Sequence, residues 1–167
     1  MYLPQIYGLI EGGVDFLLIE SVLFIEDCID IINDINESDK KLKTKTPLIV
    51  SATIDENGDL YSGETIEQFN DKISNLPNVI SIGLNCSLGA EKIFNHAVKL
   101  SNISSIPLTI YPSIGLPDSK GDYAMPAEKF AIHMNNLIQN TNCKIVGGCC
   151  GTTPEYINVI SNLLIQT

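Results

Sequence analysis

No arginine appears in these 167 residues and the one concentration of lysines is the short stretch 40–45, no apolar stretch is long enough to cross a bilayer, and no Cys-x-x-Cys pair is present. Each absence excludes a class of function. The chain sets 10 Lys and Arg against 20 Asp and Glu, a net charge of −10. Nucleic acids and anionic membrane surfaces both demand clustered cations, so neither is expected as a partner. The longest apolar segment, residues 14–25, is broken by Asp15 and Glu20 and falls short of the ~20 residues that a spanning helix needs. The N-terminus lacks the basic segment, apolar core and small-residue cleavage site of a secretory leader. A cytoplasmic location is therefore expected, where thiols stay reduced. There the five cysteines point to metal binding or catalysis before disulfides. No linker or low-complexity tract divides the chain, and its length fits one domain with a real core.

What is present is a repeat. Apolar, β-rich runs occupy residues 16–19, 48–53, 80–84, 108–111 and 144–146, spaced by roughly thirty residues, the size of a βα unit. They are near-continuous, as parallel strands buried on both faces should be. Helical stripes fill the gaps. One runs through Ile25, Cys28, Ile32 and Ile35, another through Ile93, Ala97 and Leu100. A third takes Phe130, Met134 and Leu137, and a fourth Tyr156, Ile160 and Leu163. A weaker helix is expected over 64–76, and a leading one over 3–12, closed by Gly12-Gly13. The last helix should start at Pro154, capped by Thr152 or Thr153, with Glu155 placed for a capping box. The order is one helix, then five βα units.

On that frame the chemically active side chains gather at one end. Glu20, Ser51, Thr53, Asn85-Cys86, Pro112-Ser113 and Cys149-Cys150 each fall just beyond or at the end of a strand. In a (β/α)8 barrel that face carries the active site. Cys86, Cys149 and Cys150 can supply three thiolates to a tetrahedral zinc and leave its fourth position for a substrate, the layout of a catalytic rather than a structural site. A free thiol, with a pKa of about 8.5, is mostly protonated at neutral pH, and binding to Zn²⁺ forces its deprotonation. Gly147, Gly148 and Gly151 allow the sharp turn that brings both adjacent cysteines to one ion. Buried packing or a redox pair are the competing readings of these thiols, though a disulfide between neighbours is strained. Cys28 and Cys143 read as packing residues, and His96 and His133, on helices, as no part of a metal site.

These residues carry a resemblance. The stretches 11–20, 51–54, 62–65, 83–89, 111–117 and 146–154 resemble, in order, the homocysteine S-methyltransferase (homocysteine-binding) domain, and Gly-Gly-Cys-Cys-Gly-Thr-Thr-Pro with the upstream Asn-Cys is highly specific to it. Gly-Leu-Asn-Cys and Gly-Leu-Pro place the likeness closest to the N-terminal domain of cobalamin-dependent methionine synthase. The resemblance implies a TIM barrel of which this chain holds the C-terminal part only. Residues 1–13 would end the third barrel helix, and 14–167 would form the last five βα units, strands 4–8, with the front half missing. It implies Zn²⁺ on Cys86, Cys149 and Cys150, and Glu20 on the amino group of homocysteine. Ser113 stands where relatives of the methionine synthase type usually carry an Asn that can occupy the zinc when homocysteine is absent. Serine is a shorter and poorer ligand. Asn85 is expected to orient the loop that presents Cys86.

The function so implied is methyl transfer to zinc-bound homocysteine thiolate, giving methionine, as a fragment or as half of a split enzyme. The donor would be methylcobalamin carried by another domain or chain, S-methylmethionine or betaine. A non-catalytic half-barrel that binds zinc and homocysteine, or an inactive truncated product, are the alternatives. Homocysteine, a front-half barrel chain and cobalamin or folate domains are the expected partners. Five strands cannot close this barrel, so open edges and self-association are expected of the isolated chain.

Overall fold

The computed structural model describes residues 2–121 and 123–165. The outermost domain limits expected from the sequence, residues 1 and 167, lie outside that range. Helix α1 (Leu3–Glu11) leads, followed by β1 (Leu17–Val22), α2 (Ile25–Leu42), β2 (Leu48–Ala52) and α3 (Ile66–Ile73). Then come β3 (Val79–Gly89), α4 (Ala90–Ile103), β4 (Leu108–Ser113), α5 (Ala127–Asn140), β5 (Cys143–Val146) and α6 (Pro154–Ile165). The strands form one sheet in the order β1-β2-β3-β4-β5, every pair parallel. Helices link the strands because a parallel neighbour cannot be reached through a hairpin.

Side-chain alternation sorts the sheet into two faces. Leu17, Ile19, Leu48, Val50, Ile82, Leu84, Leu108 and Ile110 are buried in one large core with Ile25, Ile32, Phe69, Ile93 and Leu100 from the helices. The alternate positions on the central strands carry Ser51, Ser81, Asn85 and Thr109, all buried. They satisfy one another: Ser81 Oγ and Thr109 Oγ1 lie 2.6 Å apart, and Ser51 Oγ donates to Asn85 Oδ1 at 2.7 Å. A smaller cluster of Ile114, Phe130, Met134 and Ile160 packs α5 and α6 against the loop after β4.

The sheet does not close. Among the described residues β1 pairs only with β2, and β5 only with β4. Leu18 on β1 is 43% exposed and Ile145 on β5 is 40% exposed. The architecture is a partial barrel of five βα units, with an edge strand on each side. No helix among the described residues is long and apolar enough to cross a membrane.

Three local expectations are revised. β1 continues through Glu20 to Val22, so Glu20 lies within the strand instead of after it. β3 likewise runs past Asn85-Cys86 to Gly89. Both extensions pass through a break in register, between Ile19 and Val22 in β1 and between Cys86 and Gly89 in β3, where backbone pairing continues although the apolar pattern has ended. Finally, the Thr152 hydroxyl bonds to the Cys149 carbonyl at 2.6 Å, inside the cysteine turn, instead of serving as a cap for α6. A full capping box forms at α3, between Thr65 and Gln68.

Candidate active site

The cysteine cluster is assembled from two strand ends. At the end of β3, Cys86 and Ser87 take positive φ values of 59° and 29°, a region that L-residues rarely occupy. The turn is tied down from both sides. The Ser87 hydroxyl donates to the Ile54 carbonyl, and the Ser113 hydroxyl donates to the Ser87 carbonyl at 3.3 Å. Beyond β5 the chain stays alongside β4. Gly147 N donates to Ile110 O (3.2 Å), Cys149 N to Pro112 O (2.9 Å), and Ile114 N to Cys150 O (3.2 Å). Gly151 turns the chain with φ +81°, and a Cβ at Gly148 would lie 2.3 Å from the Thr152 side chain. Glycine's backbone freedom is needed at Gly151, and at Gly148 the missing Cβ leaves room for Thr152 to fold into the turn that delivers two consecutive thiols.

The outcome is convergence. The Cys86 and Cys150 sulfurs are 3.3 Å apart, those of Cys149 and Cys150 3.9 Å, and all three lie within 4.8 Å of one another. Cys86 and Cys149 are half-buried and Cys150 is exposed. Among the described residues no His, Asp or Glu joins the group. Burial works to raise the Cys86 pKa, but hydrogen bonds from the Cys149 and Cys150 thiols and from backbone N–H groups outweigh it, and the net shift is downward. Cys149 is pushed up to about 12 by burial and by its hydrogen bond to Cys86, whose negative charge adds to the effect. Cys150 is also raised, chiefly through its hydrogen bond to Cys86. The cluster thus favours negative charge on Cys86 over the other two; Cys149 Sγ donates to Cys150 Sγ, and either sulfur of the Cys86–Cys150 pair can donate. A cation would replace those shared protons, and three soft sulfur donors suit a zinc-type ion. The set can hold a metal ion.

Cys28 and Cys143 are buried elsewhere, with thiols raised by burial to about 12 and about 11. His96 sits beside the Glu56 carbonyl, 3.2 Å away, and is not part of the cluster. Asn85 is 1% exposed and sits at a crossing of three strands. Its Oδ1 accepts from Ser51 Oγ (2.7 Å) and Ser21 N (3.0 Å), and its Nδ2 donates to Ser21 Oγ (2.9 Å). Ser113 is buried, and its hydroxyl also accepts from Gly115 N at 3.3 Å, so it braces its own loop and the Cys86 turn. Glu20 is exposed on β1, at the open edge of the sheet. It borders the groove formed with Leu18 and the residues Ile6 and Leu9 of α1.

Sequence reasoning missed Ser21 and Tyr111. Tyr111 follows Thr109 by two residues on β4 and so shares its face, a signal that period-two counting could have supplied. Its hydroxyl is buried without a well-formed hydrogen bond. Burial raises its pKa to about 12, the nearby Ser51 hydroxyl opposes that rise, and the charges of Glu20 and Cys149 add to it. Tyr111 therefore lies within electrostatic reach of both the carboxylate and the thiol cluster.

The family model for homocysteine S-methyltransferase matches residues 1–164. The chain belongs to the homocysteine S-methyltransferase family. The narrower likeness drawn from sequence, to the C-terminal part of the domain and closest to cobalamin-dependent methionine synthase, is corrected by this match, which takes in the chain nearly end to end. The quoted motifs are strand-end residues set by the site they build, so they report the family and do not separate its branches or mark off a part of the domain. Among solved structures, the chain is similar to the homocysteine methyltransferase MmuM from Escherichia coli. It shares 20% identity with the apo form at a TM-score of 0.74, over 96% of this chain and 54% of that one. The oxidised form aligns at 18% identity and TM-score 0.71, over 99% and 52%. The metallated form aligns at 18% and 0.69, over 96% and 52%. At these identities the likeness establishes the fold. The chain spans about half the length of the solved structures it matches.

Proposed function

We propose that this chain serves zinc-dependent methyl transfer to the sulfur of homocysteine, with Cys86, Cys149 and Cys150 holding the ion and Glu20 receiving the substrate ammonium. The convergence of three thiols, with no fourth protein ligand among the described residues, at the strand ends of a homocysteine S-methyltransferase fold, carries this reading. Zinc bound there would supply a Lewis acid that keeps an incoming thiol deprotonated at neutral pH. The protein's own residues do the rest. Cys86 and Cys149 are half-buried and Cys150 is exposed, so an ion held by the three thiols would be within reach of both substrate and donor. Glu20 offers a carboxylate on the same end of the sheet, and it fixes the orientation of an amino acid whose sulfur reaches the cysteines. In the transfer, the substrate sulfur forms a bond to the methyl carbon as the donor releases it, and the donor keeps the electron pair of the broken bond. Methylcobalamin carried by another domain or chain is one such donor, and S-methylmethionine and betaine are the others to assay.

The open edges support a requirement for a partner. Strands from another polypeptide, or a second copy when the chain is isolated, would pair with the free backbone groups of β1 and β5. This observation also favours a second reading, a half-barrel that binds zinc and homocysteine without turnover. The experiment is metal analysis and homocysteine titration on the purified chain, then methionine formation with each donor. One zinc per chain, homocysteine binding that weakens about tenfold in Glu20→Ala, and turnover support the first reading. Binding without turnover selects the second. Zinc retained in full by a Cys86/Cys149/Cys150 triple serine variant refutes both.

A further inference from the structure

The side chain of Asn85 connects the two halves of the site. Where β1 loses register after Ile19, Ser21 adopts φ 57°, and its N–H turns away from the β2 ladder. Ser21 is exposed, but its partner Asn85 is buried, so the bond between them is partly shielded from water. Asn85 Oδ1 accepts that N–H across 64 residues of sequence, and Asn85 Nδ2 fixes the Ser21 hydroxyl. The same Oδ1 takes the Ser51 hydroxyl, which locks the amide against rotation. Glu20 precedes Ser21, and Cys86 follows Asn85. One amide thus holds the strand end that bears the carboxylate against the strand end that bears the first thiol.

We propose that Asn85 is a positioning residue that sets the separation of the ammonium site from the metal site, acting on substrate binding through Ser21 and Glu20. The proposal rests on the homocysteine reading above. Its mechanism is geometric. Without the amide, Ser21 N–H and Oγ lose the fixed partner that holds the left-handed turn, the turn relaxes toward a regular strand, and the Glu20 side chain swings off the line to the cysteines. A regular strand is accessible because β1 is an edge strand, with no neighbour on its far side to oppose the change. Cys86 keeps its other supports, through Ser87, Ile54 and Ser113, so the metal ligands should stay in place.

The test compares two thiols on the zinc-loaded full chain. L-homocysteine has the ammonium, and 4-mercaptobutyrate is the same thiol acid without it. In Asn85→Ala, zinc stoichiometry should be unchanged and homocysteine affinity should fall about tenfold, the scale of one lost charge-assisted contact. Affinity for 4-mercaptobutyrate should be the same as in the wild type. Equal weakening for both thiols, or loss of zinc, overturns the proposal, because a merely structural role moves both together. If Asn85→Ala does not fold, Ser21→Ala removes only the hydroxyl that accepts from Asn85 and should show the same selective loss at about two- to threefold. Equal weakening for the two thiols, or no change for either, in that variant overturns the proposal as well. A wild-type chain that does not prefer homocysteine to 4-mercaptobutyrate refutes the Glu20 assignment itself, and the positioning role falls with it.

Discussion

Replacing Gly83 by alanine should break the centre of the sheet and disturb the metal site with it. Gly83 pairs with Thr109 across β3 and β4, and a Cβ built on it would lie 1.6 Å from the Thr109 carbonyl oxygen. Backbone offers no flexible end to swing aside, so the strands would have to part by about 1.4 Å to reach even a tight contact. That separation stretches the ladder bonds on both sides of position 83, each worth about 1 kcal/mol net, and adds an overpacking cost of about 1–3 kcal/mol. A total destabilisation of about 3–5 kcal/mol follows, a large share of what a domain of this size possesses. Cys86 stands three residues along the same strand, and Ser113, which braces its turn, stands at the end of β4. Urea unfolding should show the lower midpoint, and metal analysis of the folded fraction should show weakened zinc retention. A Gly83→Ala protein with the wild-type midpoint would refute the close approach of β3 and β4, and with it the register that aligns the site.

Other consequences follow from individual groups. Cys149→Ser should reduce zinc affinity by at least about tenfold, seen as metal lost on dialysis against a weak chelator, because a hydroxyl is a far poorer ligand than a thiolate. Asp39 is buried; burial raises its pKa, but hydrogen bonds from Thr46 N–H and the Thr44 and Thr46 hydroxyls lower it overall. Its stabilisation is thus present above the unfolded carboxylate pKa of about 3.9 and is lost as pH falls through the lower folded value. Asp39→Asn should therefore be less stable by on the order of 2 kcal/mol at pH 7, with the gap closing in acid when urea midpoints are compared across pH. Tyr111→Phe should leave the midpoint within about 1 kcal/mol of wild type or raise it, since the buried hydroxyl lacks a formed hydrogen bond. A large loss would show that the hydroxyl has a partner. Sedimentation of the isolated chain should show concentration-dependent association through the open edges, and a monodisperse monomer at high concentration would refute that role for β1 and β5.

Sequence alone determined the repeat, the face and the thiols. Period-two and period-3.6 apolar patterns are local properties of the chain, so five strands, their helices and the parallel order could be read directly. The Gly-Gly-Cys-Cys-Gly run carried its own chemistry, because only that glycine context lets two neighbouring thiols turn to one point. Strand ends were less legible. Backbone pairing can persist through a register break with no apolar residue to mark it, as at Glu20-Ser21 and Cys86-Ser87. Distances across the sheet were not legible at all. That Cys86 meets Cys150 at 3.3 Å, that Asn85 binds Ser21, and that Tyr111 stands near both Glu20 and Cys149 depend on which strands lie side by side and in what register. The Cys86–Cys150 and Asn85–Ser21 contacts each join residues 64 positions apart, and only the folded sheet brings them within bonding range.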